Sequence, residues 1–249
     1  MARDVLGWRK LLGVVGPSTN TVVQPDFDDM RPRGVTNHYS RIYTPDADAV
    51  SDESFQSGIS LIAGNTFEAV KAVITCKPDY IVMGMSAVTF FGGAKGAREW
   101  RERVEETANL QASVGSESLI AAFKAYGGIR KIAFLSPYYP SANAEVRKFF
   151  SDYGIESVRD VCLECPSWTA IAQVRKARLR QVILDIDGDD VDAVVQVGTN
   201  LSMVRLAAAA ELFLGKPVIA INAATYWHAL RACGIDDELD GFGRLLAEF

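Results

Sequence analysis

Apolar residues fall along this chain in short uninterrupted runs, each opened by charge or proline and closed by a turn-forming residue. Leu11-Leu12-Gly13-Val14-Val15 follows Arg9-Lys10 and stops at Gly16-Pro17, and Tyr80-Ile81-Val82-Met83 follows Lys77-Pro78-Asp79 and stops at Gly84. Ile132-Ala133-Phe134-Leu135 follows Arg130-Lys131 and stops at Ser136-Pro137. The run 193–197 follows Asp192 and stops at Gly198, and the run 217–221 stops at Asn222. Continuous runs rich in Val and Ile, rather than alternating ones, predict parallel strands covered on both faces. Between them, 3.6-residue periodicity predicts helices over 54–74, 94–107, 117–126, 143–153, 169–185, 203–214 and 225–233, several of them stopped by glycine. Strands alternating with helices imply βαβ units and an α/β fold.

The punctuation repeats. Arg9-Lys10, strand, Pro17 recurs as Arg130-Lys131, strand, Pro137. Asp79, strand, Gly84-Met85-Ser86 recurs as Asp192, strand, Gly198-Thr199-Asn200. Two matches in the same order, with similar offsets, predict an internally duplicated α/β protein rather than turn chemistry common to all βα units. In open α/β sheets ligands bind beyond the carboxyl ends of the strands. Here those ends carry hydroxyls, amides and glycines whose backbone N–H groups can approach an anion, and no lysine or arginine. That chemistry suits a carboxylate or oxyanion better than a polyphosphate.

Composition narrows the classes. In 249 residues, 49% are hydrophobic and 23% charged, enough for a large core, and the net charge of −5 with scattered basic residues argues against nucleic acid as a partner. The charged N-terminus and the absence of an apolar run near ~20 residues argue against a leader or membrane span, so a cytoplasmic location is expected. Four cysteines (Cys76, Cys162, Cys165, Cys233) give no disulfide framework. Cys162-x-x-Cys165 has no second pair with which to form a zinc site, and the acidic run 185–190 lacks the glutamate that would end a calcium loop. No metal or organic cofactor is expected.

Gly16-Pro17-Ser18-Thr19-Asn20-Thr21, the block from Gly84-Met85-Ser86 to Gly92-Gly93, Ser136-Pro137-Tyr138 with Asn143, and the block from Gly198 to Gly234 resemble the aspartate/glutamate racemase superfamily, in its maleate isomerase and arylmalonate decarboxylase branch. The resemblance covers most of the chain. It implies two pseudo-symmetric lobes, each a parallel sheet flanked by helices, with the site in the cleft between them. Lobe 1 would be 1–112 plus 220–249, and lobe 2 would be 113–219. It further implies cofactor-independent chemistry at the carbon next to a carboxylate of a small acid. Relatives in this branch place cysteines at one or both of the positions matched here by Gly84 and Gly198, so their usual acid is missing. A shift by one residue puts Met85 and Thr199 there instead. If the unshifted register holds, Gly198→Cys would restore a proton donor.

By the same resemblance, Asn20 grips a substrate carboxylate, with Ser18 in the same strand-end block. Ser86, Tyr138 and Thr199 are the candidate catalytic donors, Asn200 adds amide and backbone donors, and Trp168 favours an apolar substituent. Each has a blander reading: Asn20, Ser86 and Thr199 as helix caps, and Tyr138 as a core tyrosine. His228 reads as packed or surface. His38, with Tyr39 and Arg41, reads as a loop that can cover the cleft. The reaction stays open among decarboxylation, isomerisation, racemisation and hydrolysis, as does a member that binds a carboxylate as a sensor without turnover. Two-lobed relatives often pair, which leaves a homodimer open, although no segment identifies an interface.

Overall fold

The computed structural model describes residues 4–46 and 51–249. Its frame is a pair of four-stranded parallel sheets. β1 (Lys10–Pro17), β2 (Val35–Ile42), β3 (Tyr80–Met83) and β4 (Ala112–Ser113) pair in the order β2-β1-β3-β4. β5 (Lys131–Ser136), β6 (Glu156–Cys162), β7 (Ala193–Gln196) and β8 (Val218–Ala220) pair in the order β6-β5-β7-β8. The two orders are the same, so the duplication inferred from punctuation is a duplication of topology.

The repeated residues also do the same work in both halves. Asp79, before β3, accepts from the Leu11 N–H at 2.8 Å. Asp192, before β7, accepts from the N–H groups of Arg130 and Lys131, both at 2.8 Å. In each lobe a carboxylate thus ties the start of the third strand to the start of the first.

The central strands are buried because helices cover them. α1 (Val23–Asp29), α2 (Asp52–Val73) and α3 (Gly93–Ala108) connect the first sheet, and α4 (Gly115–Ala125) leads into the second. α5 (Pro140–Asp152), α6 (Lys176–Ile186) and α7 (Val204–Leu214) connect the second sheet. α8 (Ile221–Ala232) then returns to pack on α4 and on β3 and β4, and α9 (Arg244–Glu248) packs against it.

Several expectations change. The helix predicted over 169–185 divides into a 3-10 turn, Ala170–Gln173, and α6, because Arg175 is extended (φ −67, ψ 139) between them. His38 lies within β2, not in a covering loop, and its Nε2 sits 2.9 Å from Thr36 Oγ1. The segment Asp52–Cys76 is long and apolar enough to span a bilayer by length and composition, with a window of mean hydropathy 1.3, contrary to the sequence expectation. In the fold its buried face, which includes Phe55, Ile59, Ile62 and Val70, packs on β1 and β2. The acidic run 185–190 receives the protein's own cations: Lys216 Nζ lies 3.0 Å from Asp187, and Arg159 pairs with Asp190.

Candidate active site

The carboxyl ends of β1, β3, β5 and β7 converge between the lobes on a cavity. Asn20, Met85, Ser86, Tyr138, Gly198, Thr199 and Asn200 line it from the strand ends, with Trp168 from the segment after β6. Ile59 and Ile62 of α2, Val88 and Ile171 complete an apolar wall that sequence reading did not single out. Ser18 and Gly84 lie just outside the lining. Ser18 Oγ accepts from the Thr44 N–H at 2.9 Å and stitches the end of β1 to the end of β2. A Cβ on Gly84 would point into the core, 2.7 Å from Val23 Cγ1.

Two side-chain-to-side-chain hydrogen bonds between cavity-lining residues cross between the lobes, and they are related by the duplication. The loop after β1 meets the loop after β7, where Asn20 Nδ2 donates to Thr199 Oγ1 at 3.1 Å. The loop after β3 meets the loop after β5, where the hydroxyls of Ser86 and Tyr138 are 2.8 Å apart. All four side chains are buried.

Counting protons shows which donors remain. Asn20 Oδ1 accepts from the N–H groups of Val22 and Val23 at 3.0 and 2.9 Å, so its oxygen serves the start of α1, while one hydrogen of its nitrogen stays uncommitted. Thr199 Oγ1 also donates to the Gly84 carbonyl at 3.3 Å. Asn200 accepts from Thr21 N–H at 3.0 Å and donates to the Trp168 and Thr19 carbonyls at 2.8 and 3.5 Å, which commits both hydrogens of its amide. The Ser86–Tyr138 pair has two hydroxyl protons and one mutual bond, leaving one proton for a ligand. Burial pushes the Tyr138 hydroxyl well above the usual tyrosine value, so it stays protonated near neutrality.

Among the described residues no side chain that is charged at neutral pH lines the cavity, and none of the four cysteines does. Burial raises Cys162 and Cys165 to about 11, which keeps both as thiols. No cluster of three or more metal-ligating His, Cys, Asp or Glu side chains occurs among the described residues. His228 lies on α8 with Nδ1 3.1 Å from Ser118 Oγ, and burial lowers its pKa, so it is neutral and away from the lining.

Comparison with known proteins fixes the relationship. The model of the arylmalonate decarboxylase family matches residues 48–246. The chain belongs to this family. The chain is also similar to the maleate isomerase of Pseudomonas putida, 24% identical over 259 aligned positions that cover 95% of this chain and 96% of the relative. The match to the maleate isomerase of Geobacillus stearothermophilus, at 26% identity, spans about half of each chain (48%). A Nocardia farcinica maleate cis-trans isomerase variant with a covalently bound succinylcysteine intermediate superposes with a TM-score of 0.86 at 20% identity, covering 96% of this chain and 99% of that one. Arylmalonate decarboxylase itself superposes with a TM-score of 0.76 at 18% identity, covering 95% and 98%. At such identities the likeness to the solved structures is one of fold, and that fold is the two-lobed α/β arrangement described above.

One acid near the cavity escaped sequence reading. Asp26 of α1 sits behind the Thr199–Asn200 loop, with Oδ2 2.8 Å from Asn222 Nδ2, and burial raises its carboxyl from 3.8 to about 6. A carboxyl raised on folding binds its proton more tightly in the native state, so its contribution is fully present below pH 3.8 and is lost as pH rises through about 6. At ~1.4 kcal/mol per pH unit this displacement amounts to about 3 kcal/mol, or about 2 after allowance for its residual contact with water. Asp26→Asn keeps an acceptor for Asn222 and removes the titration. Urea denaturation from pH 4 to 8 is expected to show the variant gaining about 2 kcal/mol over the parent above pH 6. A constant difference across that range would contradict it.

Proposed function

We propose that the protein is a cofactor-independent enzyme that decarboxylates a small malonate bearing an apolar substituent. The observation that carries this reading is the two-sided cavity: neutral hydrogen-bond donors from four strand ends face a wall of Ile59, Ile62, Val88, Trp168 and Ile171. Such a site accommodates one carboxylate among the donors and an apolar group against the wall. A second carboxylate against that wall loses its hydration without gaining a partner, and its departure as neutral CO2 relieves that cost. The bond from the α-carbon to the leaving carboxylate breaks, and its electron pair forms an enediolate with the carboxylate that remains. Donors already in place stabilise the growing oxyanion charge. The α-carbon then takes a proton from the hydroxyl of Tyr138, which water or Ser86 restores.

Maleate isomerase and arylmalonate decarboxylase relatives support a small-carboxylic-acid isomerase or decarboxylase role at this level. The succinylcysteine route of the Nocardia enzyme has no thiol in this cavity to carry it. The test is incubation with phenylmalonate and with maleate in D2O, following CO2 release, deuterium at the α-carbon and alkene geometry. Loss of CO2 from phenylmalonate with one deuteron gained is the expected result. Binding of both acids with no CO2 release, exchange or isomerisation would assign the cavity to carboxylate sensing and overturn the enzymatic reading.

A further inference from the structure

Two buried side-chain amides outside the cavity lining grip the backbone of the loop after β7. Gln196 Nε2 donates to the carbonyls of Val197 and Gly198, both at 2.7 Å, and Asn222 Nδ2 donates to the carbonyl of Thr199 at 2.9 Å. Three consecutive carbonyls are tied down in this way. In a planar trans peptide the N–H points opposite to the C=O with which it shares the plane, and the described chain has no cis peptide. The N–H groups of Gly198, Thr199 and Asn200 therefore face away from the two amides, and these are the residues through which the loop lines the cavity. Gly198, at φ +95, supplies the left-handed step that brings such N–H groups together. Successive N–H groups on one side of a loop form a concavity that attracts anions.

We propose that Gln196 and Asn222 are positioning residues that hold the backbone of residues 198–200 as an anion-binding nest for the substrate carboxylate, an inference that rests on the reading of the cavity as a carboxylate site. Asn222 is built for its two donations: its nitrogen serves Thr199 and Asp26, while its buried Oδ1 has no partner among the described residues. Turned over, the amide would set that oxygen against two acceptors. An apolar residue of the same shape would remove the unpaired Oδ1 but leave the Thr199 carbonyl and Asp26 without this donor, so the amide serves the loop backbone and not packing alone.

The test uses 15N-labelled full-length protein titrated with phenylacetate, a monocarboxylate with an apolar ring. In the parent protein the amide protons of Gly198, Thr199 and Asn200 are expected to move downfield together. In Gln196→Met and Asn222→Leu those shifts are expected to shrink, and the dissociation constant to rise about 10- to 100-fold, with cooperative unfolding retained. Variants that melt earlier but keep the shifts and the affinity would reduce both amides to a structural role and overturn the proposal. The parent titration needs no variant to fold. If Ser86 and Ala87 respond while residues 198–200 stay silent, the carboxylate site stands and the nest falls. If no cavity residue responds, the carboxylate reading fails and the nest with it.

Discussion

Tyr138→Phe is expected to slow turnover of phenylmalonate by about 100- to 1,000-fold, the usual cost of removing one donor from an oxyanion site. The ring survives the change, packed 5.5 Å from Phe55, so the cavity keeps its shape. What is lost is the hydroxyl 2.8 Å from Ser86 Oγ, and with it the one proton that the pair can spend on a ligand. Stability should fall by only about 1–2 kcal/mol, the cost of leaving a buried Ser86 hydroxyl without its partner. Ser86→Ala breaks the same bond from the other lobe, so the two losses should not add in the double variant. Because burial holds the Tyr138 hydroxyl above the ordinary tyrosine value, the rate should show no loss of a phenolic proton below pH 10. Steady-state CO2 release against pH, read beside urea denaturation, checks all four. A Tyr138→Phe rate within threefold of the parent would remove Tyr138 from the chemistry.

Gly198→Cys is expected to destabilise the protein. Gly198 holds φ +95, where a side chain costs about 1–2 kcal/mol, and its Cβ would lie 2.3 Å from Pro137 Cδ. Relieving that overlap costs about 1–3 kcal/mol more. The sum, about 3 kcal/mol, lowers the melting temperature by about 6–12 °C for a chain of this size. Gly198→Ala should show most of the same loss, since backbone and Cβ cause it. A side chain at this position would meet Pro137, which lines the same cavity. Calorimetry on both variants decides the point, and a melting temperature unchanged by alanine would show that the loop relaxes freely.

The parts of the fold legible from sequence are those where burial is two-sided. β1, β3, β5, β7 and β8 are runs of Val, Ile and Leu, and each was placed within a residue or two. β2 and β6 escaped for one shared reason. Both are edge strands, half-buried, and their residues (Val-Thr-Asn-His-Tyr-Ser-Arg-Ile in β2) show neither a continuous apolar run nor clean alternation. β4 has only two residues, and α1 carries Pro25 inside a seven-residue helix. At the cavity, strand-end residues could be named because topology sends them there. Ile59, Ile62 and Ile171 could not, because their apolar positions look like any helix or turn facing a core. Gln196 left a faint signal, an amide inside an otherwise apolar strand, and Asn222 was noticed only as the stop of β8. Which hydrogen of which amide is already spent is a property of the folded arrangement, and no spacing rule reports it.

The two side-chain hydrogen bonds that join cavity residues across the lobes would have a stereochemical consequence in the proposed reaction. A half-length chain paired with its own copy would present identical groups on either side of a planar enediolate, and such a site cannot distinguish the two faces. A single chain whose two halves differ in sequence is free of that constraint. Here the contact after β1 and β7 is an amide on a hydroxyl, Asn20 on Thr199, and its counterpart after β5 and β3 is a phenol on a serine. Only the second holds a spare acidic hydrogen of phenolic type. On the proposed reaction, a proton delivered from that side alone would reach one prochiral face of the carbon, and the handedness of the product would be set by which half of the duplicated chain carries the tyrosine.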